Sequence, residues 1–369
     1  MEGPTWELWN IEMVTIRELC ESDLGGLGRL HADVFGDSST SLDFRGLESF
    51  YREVFLKSPF CDPSAHSLVA VEDDVLVGFI GVLRRSFQFG GKEIRLGVAS
   101  RLMVKPSASG LVGASLLRRA SRSGLDLFFT DGANQYGGGI MRALGGKDLP
   151  LMSLQWFKLF RPMGFASDFL KNRSPLLGSV AGVVSRPMDA LLGRFFSPPE
   201  NSRDLETLGI DELFSLYEGS AKEFPCSPLY SREELDWLVG FCRGAKKRGE
   251  FFLKKVPFQD GSFGGFGGYL TNKGCLEVLN FWGPKRHFDS LLRGLFSFAR
   301  GLGVKAVQGR LSENLFPHLR KEKVIMKYGS WSMAYGKNPG LVQVFEEGKA
   351  AVGGLEGELW LPSARYGHD

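Results

Sequence analysis

From residue 13 to residue 160 the spacing of apolar side chains changes period repeatedly, and that succession constrains the fold more than any single motif. Residues 13–19 alternate as a strand, and Asp23 stands where a cap would start a helix carrying Leu27, Leu30 and Val34. A second helix is expected over residues 47–56. Residues 67–71 and 75–87 are β-rich and flank the acidic turn Glu72-Asp73-Asp74, which reads as a hairpin. A strand follows over 94–104, then a helix with Val112, Leu116, Leu117 and Ala120 on one face. A short strand at 125–129, a brief helix and β-rich residues 151–160 complete the run. The order β-α-α-β-β-β-α-β-α-β-β predicts a mixed sheet flanked by helices, an α/β (α+β) fold.

A chain of 369 residues is long for one such layer, since about 150 residues make a domain. Between residues 161 and 203 the composition turns to Ser, Pro, Gly and small apolar residues, with Pro198-Pro199 near its end. This divides the chain into a domain at 13–162, a linker with an apolar helix at 163–204, and a domain at 205–362. In the last of these, helices are expected over 213–224 and 235–242, and Ser231 and Glu234 have the spacing of a capping box for the second. Strands are expected over 251–256, 266–271 and 276–281. They are followed by an amphipathic helix carrying Phe288, Leu291, Leu292, Leu295, Phe298, Ala299 and Leu302, and by a strand at 304–307. The second half therefore repeats the order of the first without a residue-level repeat.

Composition removes several function classes. Forty-five Lys and Arg against 42 Asp and Glu leave a net charge of +3, too small for binding nucleic acid through bulk charge. Cys20, Cys61, Cys226, Cys242 and Cys275 are odd in number and form no CxxC pair, which points to a reducing cytoplasm. Glu2, Glu7 and Glu12 break any basic start to a signal peptide. Residues 176–196 are interrupted by Arg186, Pro187, Asp189 and Arg194, so a connecting helix is expected there and no membrane partner. His31, His66, His287, His318 and His368 are scattered without HExxH spacing, so no metal site is expected, and Gly178-Ser179 completes no GxSxG elbow. Gly145-Gly146-Lys147 is followed by Asp148, which lacks the hydroxyl that a Walker loop gives to magnesium.

The informative segment is Val104-Lys105-Pro106 followed by Ser107-Ala108-Ser109-Gly110-Leu111-Val112-Gly113-Ala114. Small residues at a strand-to-helix turn let backbone amides approach an anion, and the helix start adds partial positive charge, so this turn can hold a pyrophosphate. It resembles the GNAT superfamily of N-acetyltransferases, in which a strand ending Val-x-Pro leads to Arg/Gln-x-x-Gly-x-Gly/Ala and a leucine-rich helix. Ser109 stands at the Arg/Gln position, Val112 replaces a glycine and Ala114 fits the Gly/Ala position; a one-residue gap would instead align Gly113 with the last glycine. The family's later helix, Asn-x-x-Ala-x-x-apolar-Tyr-x-x-Leu-Gly, is matched by Asn134, Ile140, Leu144 and Gly145. The likeness covers residues 13–162, and the chain is similar to tandem members with two GNAT-like domains, the second degenerate.

The resemblance implies an acyl-CoA-dependent N-acyltransferase acting on an amine of a small molecule or peptide, with acetyl-CoA or another acyl-CoA as co-substrate. It implies that Ser109, Gly110, Leu111, Val112, Gly113 and Ala114 hold the pyrophosphate, and that a backbone N–H in Leu102, Met103 or Val104 polarises the thioester carbonyl. Asn134 would bond the cofactor or the backbone. Met141 occupies the place of the family's acid tyrosine, and a thioether has no proton to give. An ammonium cannot attack a thioester, so a proton acceptor is needed; Asp131 is the best-placed carboxylate, with capping of the following helix as its structural reading. Lys285 and Arg286 occupy the equivalent turn of the second half, where a solvated helix start is the structural reading. Tyr269, Trp282, Glu313 and His318 are candidates for a substrate cleft, with core packing the reading favoured for the aromatics. Two other readings stay open: a catalytically inactive binding or regulatory protein, and an aminoacyl transferase of the FemX type.

Overall fold

Runs of β-formers on either side of Gly90-Gly91 make residues 75–104 a long hairpin. In the computed structural model, which describes residues 14–36, 43–162, 205–220 and 222–362, β3 (Val75–Phe89) and β4 (Lys92–Val104) turn at Gly90-Gly91. Both glycines have positive φ, +58° and +76°, a conformation that costs residues with a Cβ. The chain forms two compact units, Met1–Arg84 with Ala99–Leu125 and Arg85–Val98 with Asp126–Ser363, and β3 and β4 each run through both. The expected linker helix at 176–196 and Gly178-Ser179 lie outside the described residues.

In the first unit β1 (Val14–Glu18) pairs antiparallel with β2 (Leu68–Glu72), and β2 with β3. Successive residues of a strand face opposite sides, so Gly78 and Gly81 open opposite faces of β3. Phe55, at the end of α2 (Phe44–Phe55), fills the space over Gly81; Val112 and Leu116 of α3 (Leu111–Ala120) press on Gly78. Asp23 does not cap α1 (Leu24–Phe35). Its carboxylate accepts two 2.6 Å bonds from Arg17 and one of 2.9 Å from the Cys20 N–H, which closes a 3-10 turn one step earlier.

In the second unit β4 pairs parallel with β5 (Leu127–Ala133) only from Leu96↔Leu127 to Val98↔Phe129. β5 pairs on its other side with β14 (Trp331–Gly336), and β14 with β6 (Lys147–Asp148). The helix α4 (Gln135–Ala143) follows β5. Pro150 starts a one-turn helix, α5 (Pro150–Ser153), so the strand expected from 151 begins at Leu154 as β7 (Leu154–Leu159). β7 joins a six-stranded second sheet in the order β13-β7-β12-β11-β10-β9. Its members are β9 (Gly249–Pro257), β10 (Phe263–Thr271), β11 (Cys275–Trp282), β12 (Ala306–Arg310) and β13 (Ile325–Tyr328). Thus β7 leaves the sheet of its own half and β14 enters it, an exchange that the apparent repeat of element order does not contain.

Two helices, α6 (Ile210–Ser220) and α7 (Arg232–Gly244), come before β9 in the chain, with β8 (Cys226–Leu229) between them pairing with the end of β3. The Ser231–Glu234 capping box forms at the start of α7. The helix α8 (Phe288–Gly301) buries Phe288, Leu291, Leu292, Leu295, Phe296 and Ala299 in the core of this sheet, and the short α9 (Phe316–Leu319) and α10 (Pro339–Glu346) follow β12 and β14.

The packing of α3 on β3 fixes the loop before it. A methyl on Gly78 would lie 2.8 Å from Val112 Cγ1 and 2.9 Å from Leu116 Cδ1. Gly78→Ala is therefore expected to lower stability by about 1–3 kcal/mol through overpacking, measured by urea unfolding.

Candidate functional site

The turn singled out in the sequence is built from short-range bonds in the first unit. β4 carries Arg101 at φ +55°, a left-handed residue that kinks the strand just before Leu102, Met103 and Val104. Met103 is buried and its Sδ receives the Tyr51 hydroxyl at 3.6 Å; Tyr51 also meets His31 Nδ1 at 2.7 Å. The strand ends as the Lys105 N–H donates to Val77 O at 2.8 Å, and the Ala108 N–H returns to Lys105 O at 2.9 Å.

Ser109 and Gly110 then lie exposed at the start of α3 with Gly110 as its N-cap, and a Cβ on Gly110 would meet nothing within 4 Å. Val112 and Gly113 turn inward and Ala114 is half-buried. The Leu111 N–H donates to Ser109 Oγ at 3.3 Å and the Val112 N–H to Ser109 O at 3.0 Å, a turn just ahead of the helix. An open, small-residue, exposed helix start of this kind fits a pyrophosphate in space and in polarity.

In the second unit Asp131 does not cap α4. It lies inside β5, 3 % exposed, and Asn134 caps the helix by accepting the Gly137 N–H at 2.9 Å. The backbone of Asp131 is held by Arg310 and Ser330, whose Nη2 and Oγ each donate to its carbonyl at 2.6 Å. Its carboxylate Oδ1 accepts the Glu358 N–H at 2.9 Å, and a Cβ on Gly357 would collide with both carboxylate oxygens. Burial, then the charge of Glu358, pushes the Asp131 carboxyl up to about 7, against the lowering effect of Arg310. A carboxyl in that range takes and gives a proton near neutral pH, but this one is covered by the segment 356–358.

The other sequence candidates separate. Met141 is buried and Tyr136 is 48 % exposed, so the tyrosine does not take the place that Met141 fills. Arg286 and His287 both bind Asp260, at 3.0 and 2.9 Å, and His287 stacks on Phe258, so this turn is tied to the chain's own groups. Tyr269 is core and donates to Cys242 O at 3.2 Å. Trp282 lines one cavity; Glu313 and His318 line another, where His318 Nδ1 meets Asp289 at 2.6 Å. Sequence reasoning missed Arg310, Ser330, Glu356 and Glu358. The only local signal was the Gly353–Gly357 run, whose glycines allow close approach.

No family model and no curated protein sequence matches the chain. Solved structures do. A GCN5-related N-acetyltransferase from Anabaena variabilis is similar at TM-score 0.56 and 11 % identity over 88 % of this chain and 73 % of that one. One from Kribbella flavida is similar at TM-score 0.50 and 15 % identity over 87 % and 70 %. Saccharomyces cerevisiae N-myristoyltransferase, solved with bound myristoyl-CoA and inhibitors, is similar at TM-score 0.52 and 13 % identity over 88 % and 80 %. The chain has the GNAT fold: mixed sheets flanked by helices. No helix among the described residues is long and apolar enough to cross a membrane.

The raised carboxyl of Asp131 has a stability signature. An acid whose pKa rises on folding keeps its proton in the native state after the unfolded chain has lost it, so stability falls as pH climbs from the ordinary 3.8 to about 7 and then levels. Asp131→Asn is expected to flatten that fall, by up to about 1.4 kcal/mol per pH unit, in urea unfolding between these limits.

Proposed function

We propose that this chain is an acyl-CoA-dependent N-acyltransferase, with acetyl transfer to an amine of a small molecule or peptide as the leading reaction. The observation that carries the reading is the passage from the kink at Arg101 to the open helix start at Gly110, within a fold shared with N-acetyl- and N-myristoyltransferases. In this reading the turn from Ser109 to Ala114 holds the pyrophosphate, and a backbone N–H among Leu102, Met103 and Val104 polarises the acyl carbonyl. Acyl-CoA supplies the thioester carbon that the amine attacks. Asp131 is the proposed proton acceptor. Its raised pKa suits the role, and the segment over it must yield for it to act. Residues 13–162 are read as the acyl-CoA domain, 163–204 as the linker and 205–362 as a degenerate second copy.

Met141 and the covered Asp131 favour a second reading, a GNAT-fold binding or regulatory protein that keeps the co-substrate and has lost the chemistry. Thermal shift separates the two. A CoA ester at 100 times its Kd should stabilise the chain by about 2.7 kcal/mol. Thiol release across an amine panel then supports transfer, and a shift without release supports the binding protein.

The site itself is tested by Gly110→Asp. The position is open, and Asp is a good N-cap, so the fold should hold. The added carboxylate is expected to weaken acetyl-CoA binding at least about tenfold in calorimetry, because it competes with the anion for the same helix start.

A further inference from the structure

Lys285, Glu313 and His318, which the sequence leaves scattered, meet at one cavity of the second unit. It measures about 300 Å³, with these three and Asn314 as its polar wall and Leu151, Phe316 and Pro317 as its apolar wall. Sites for small molecules fall in a range of about 300–1,000 Å³. Gly348, at φ +69°, lets the two walls approach. A Cβ there would stand 3.2 Å from Leu151 Cδ1 and 3.4 Å from Glu313 Cβ, so the bare glycine leaves room for both.

The chain does not use up the polar groups of this wall. His318 is the fixed one: its Nδ1 meets Asp289 Oδ1 at 2.6 Å, Lys321 holds the other Asp289 oxygen at 3.3 Å, and the imidazole stacks on Phe288. With Nδ1–H donated to a carboxylate, a neutral ring presents its lone pair at Nε2, which has no partner among the described residues. Neither the Glu313 carboxylate nor the Asn314 side-chain amide makes a hydrogen bond or ion pair among the described residues. Lys349 stands near Glu313 but is held by Glu347 at 2.6 Å. The Lys285 ammonium rests on the Phe224 ring, 4.5 Å from its centroid, and it is the Lys285 backbone N–H, not the side chain, that donates to Glu223. A ring takes one side of an ammonium and leaves N–H donors on the other. The cavity thus carries a cation and an anion that do not pair with each other.

We propose that this cavity binds a small zwitterion, an α-amino acid with an apolar side chain. Lys285 meets its carboxylate, Glu313 and His318 Nε2 take its ammonium, and Leu151, Phe316 and Pro317 receive its side chain. A ligand with both charges answers both groups of the wall. A simple amine or a simple acid leaves one of them unmatched and meets a like charge in the same small space. The inference stands on the second unit alone, whatever the first unit binds.

Calorimetry on the full chain with L-leucine and its two single-charge matches, isocaproate and isoamylamine, tests it. Leucine should bind saturably, at least about tenfold tighter than either match. Glu313→Gln keeps the size of a side chain that bonds nothing else in the chain, and should weaken leucine about tenfold without weakening isocaproate. Lys285→Met should weaken leucine and isocaproate and spare isoamylamine. Leucine that binds no tighter than its matches overturns the proposal, as does a folded Glu313→Gln that binds leucine like the parent. The comparison of the three ligands holds whether or not the variants fold.

Discussion

The architecture of the second unit depends on where two parallel ladders stop. Parallel strands satisfy each other's N–H and C=O groups, and when they part those groups need other partners or water. β4 and β5 part after Val98 and Phe129, and β11 and β12 after Val278 and Gly309. Each parting leaves backbone free to meet something other than a neighbouring strand. In the second sheet that something is the chain itself, at residues 353–356. At the end of β5 it is Arg310 and Ser330 on the Asp131 carbonyl and Glu358 on its carboxylate.

The segment 350–361 is consequently a structural member of the second unit. Trp360 is fully buried against Trp237 and Phe241, its Nε1 donates to Gly357 O at 2.8 Å, and Arg248 donates to the carbonyls of Leu359 and Leu361. These contacts bring Glu356 to one fork and Gly357-Glu358 to the other strand end. A buried carboxyl such as Asp131 is tolerated because it can keep its proton, and Glu356 is met by four hydrogen-bond donors, Tyr217, Tyr230, Asn280 and the Gly353 N–H.

The first half was largely legible from sequence because its signals are local. Runs of β-formers gave β2, β3 and β4, and helical spacing gave the core face of α3, since both depend on residues a few positions apart. Ser231 and Glu234 were legible as a cap for the same reason. Asp23 and Asp131 misled because a carboxylate before a helix has the same local appearance whether it bonds that helix or something else. Arg17 and Cys20 claimed the first; the strand pairing of β5 with β14 and the arrival of Gly357 claimed the second. The exchange of β7 and β14 between sheets, and the gathering of Arg310, Ser330 and Glu358 around Asp131, join residues about 180 to 230 positions apart, which periodicity cannot register.

The acyl-CoA reading places its co-substrate on the backbone of residues 102–114, and hydrogen–deuterium exchange measures that backbone directly. With saturating acetyl-CoA or a longer acyl-CoA, amide exchange in the peptide spanning 102–114 should slow more than elsewhere in the first unit. Saturable binding that leaves exchange in 102–114 unchanged would contradict the account.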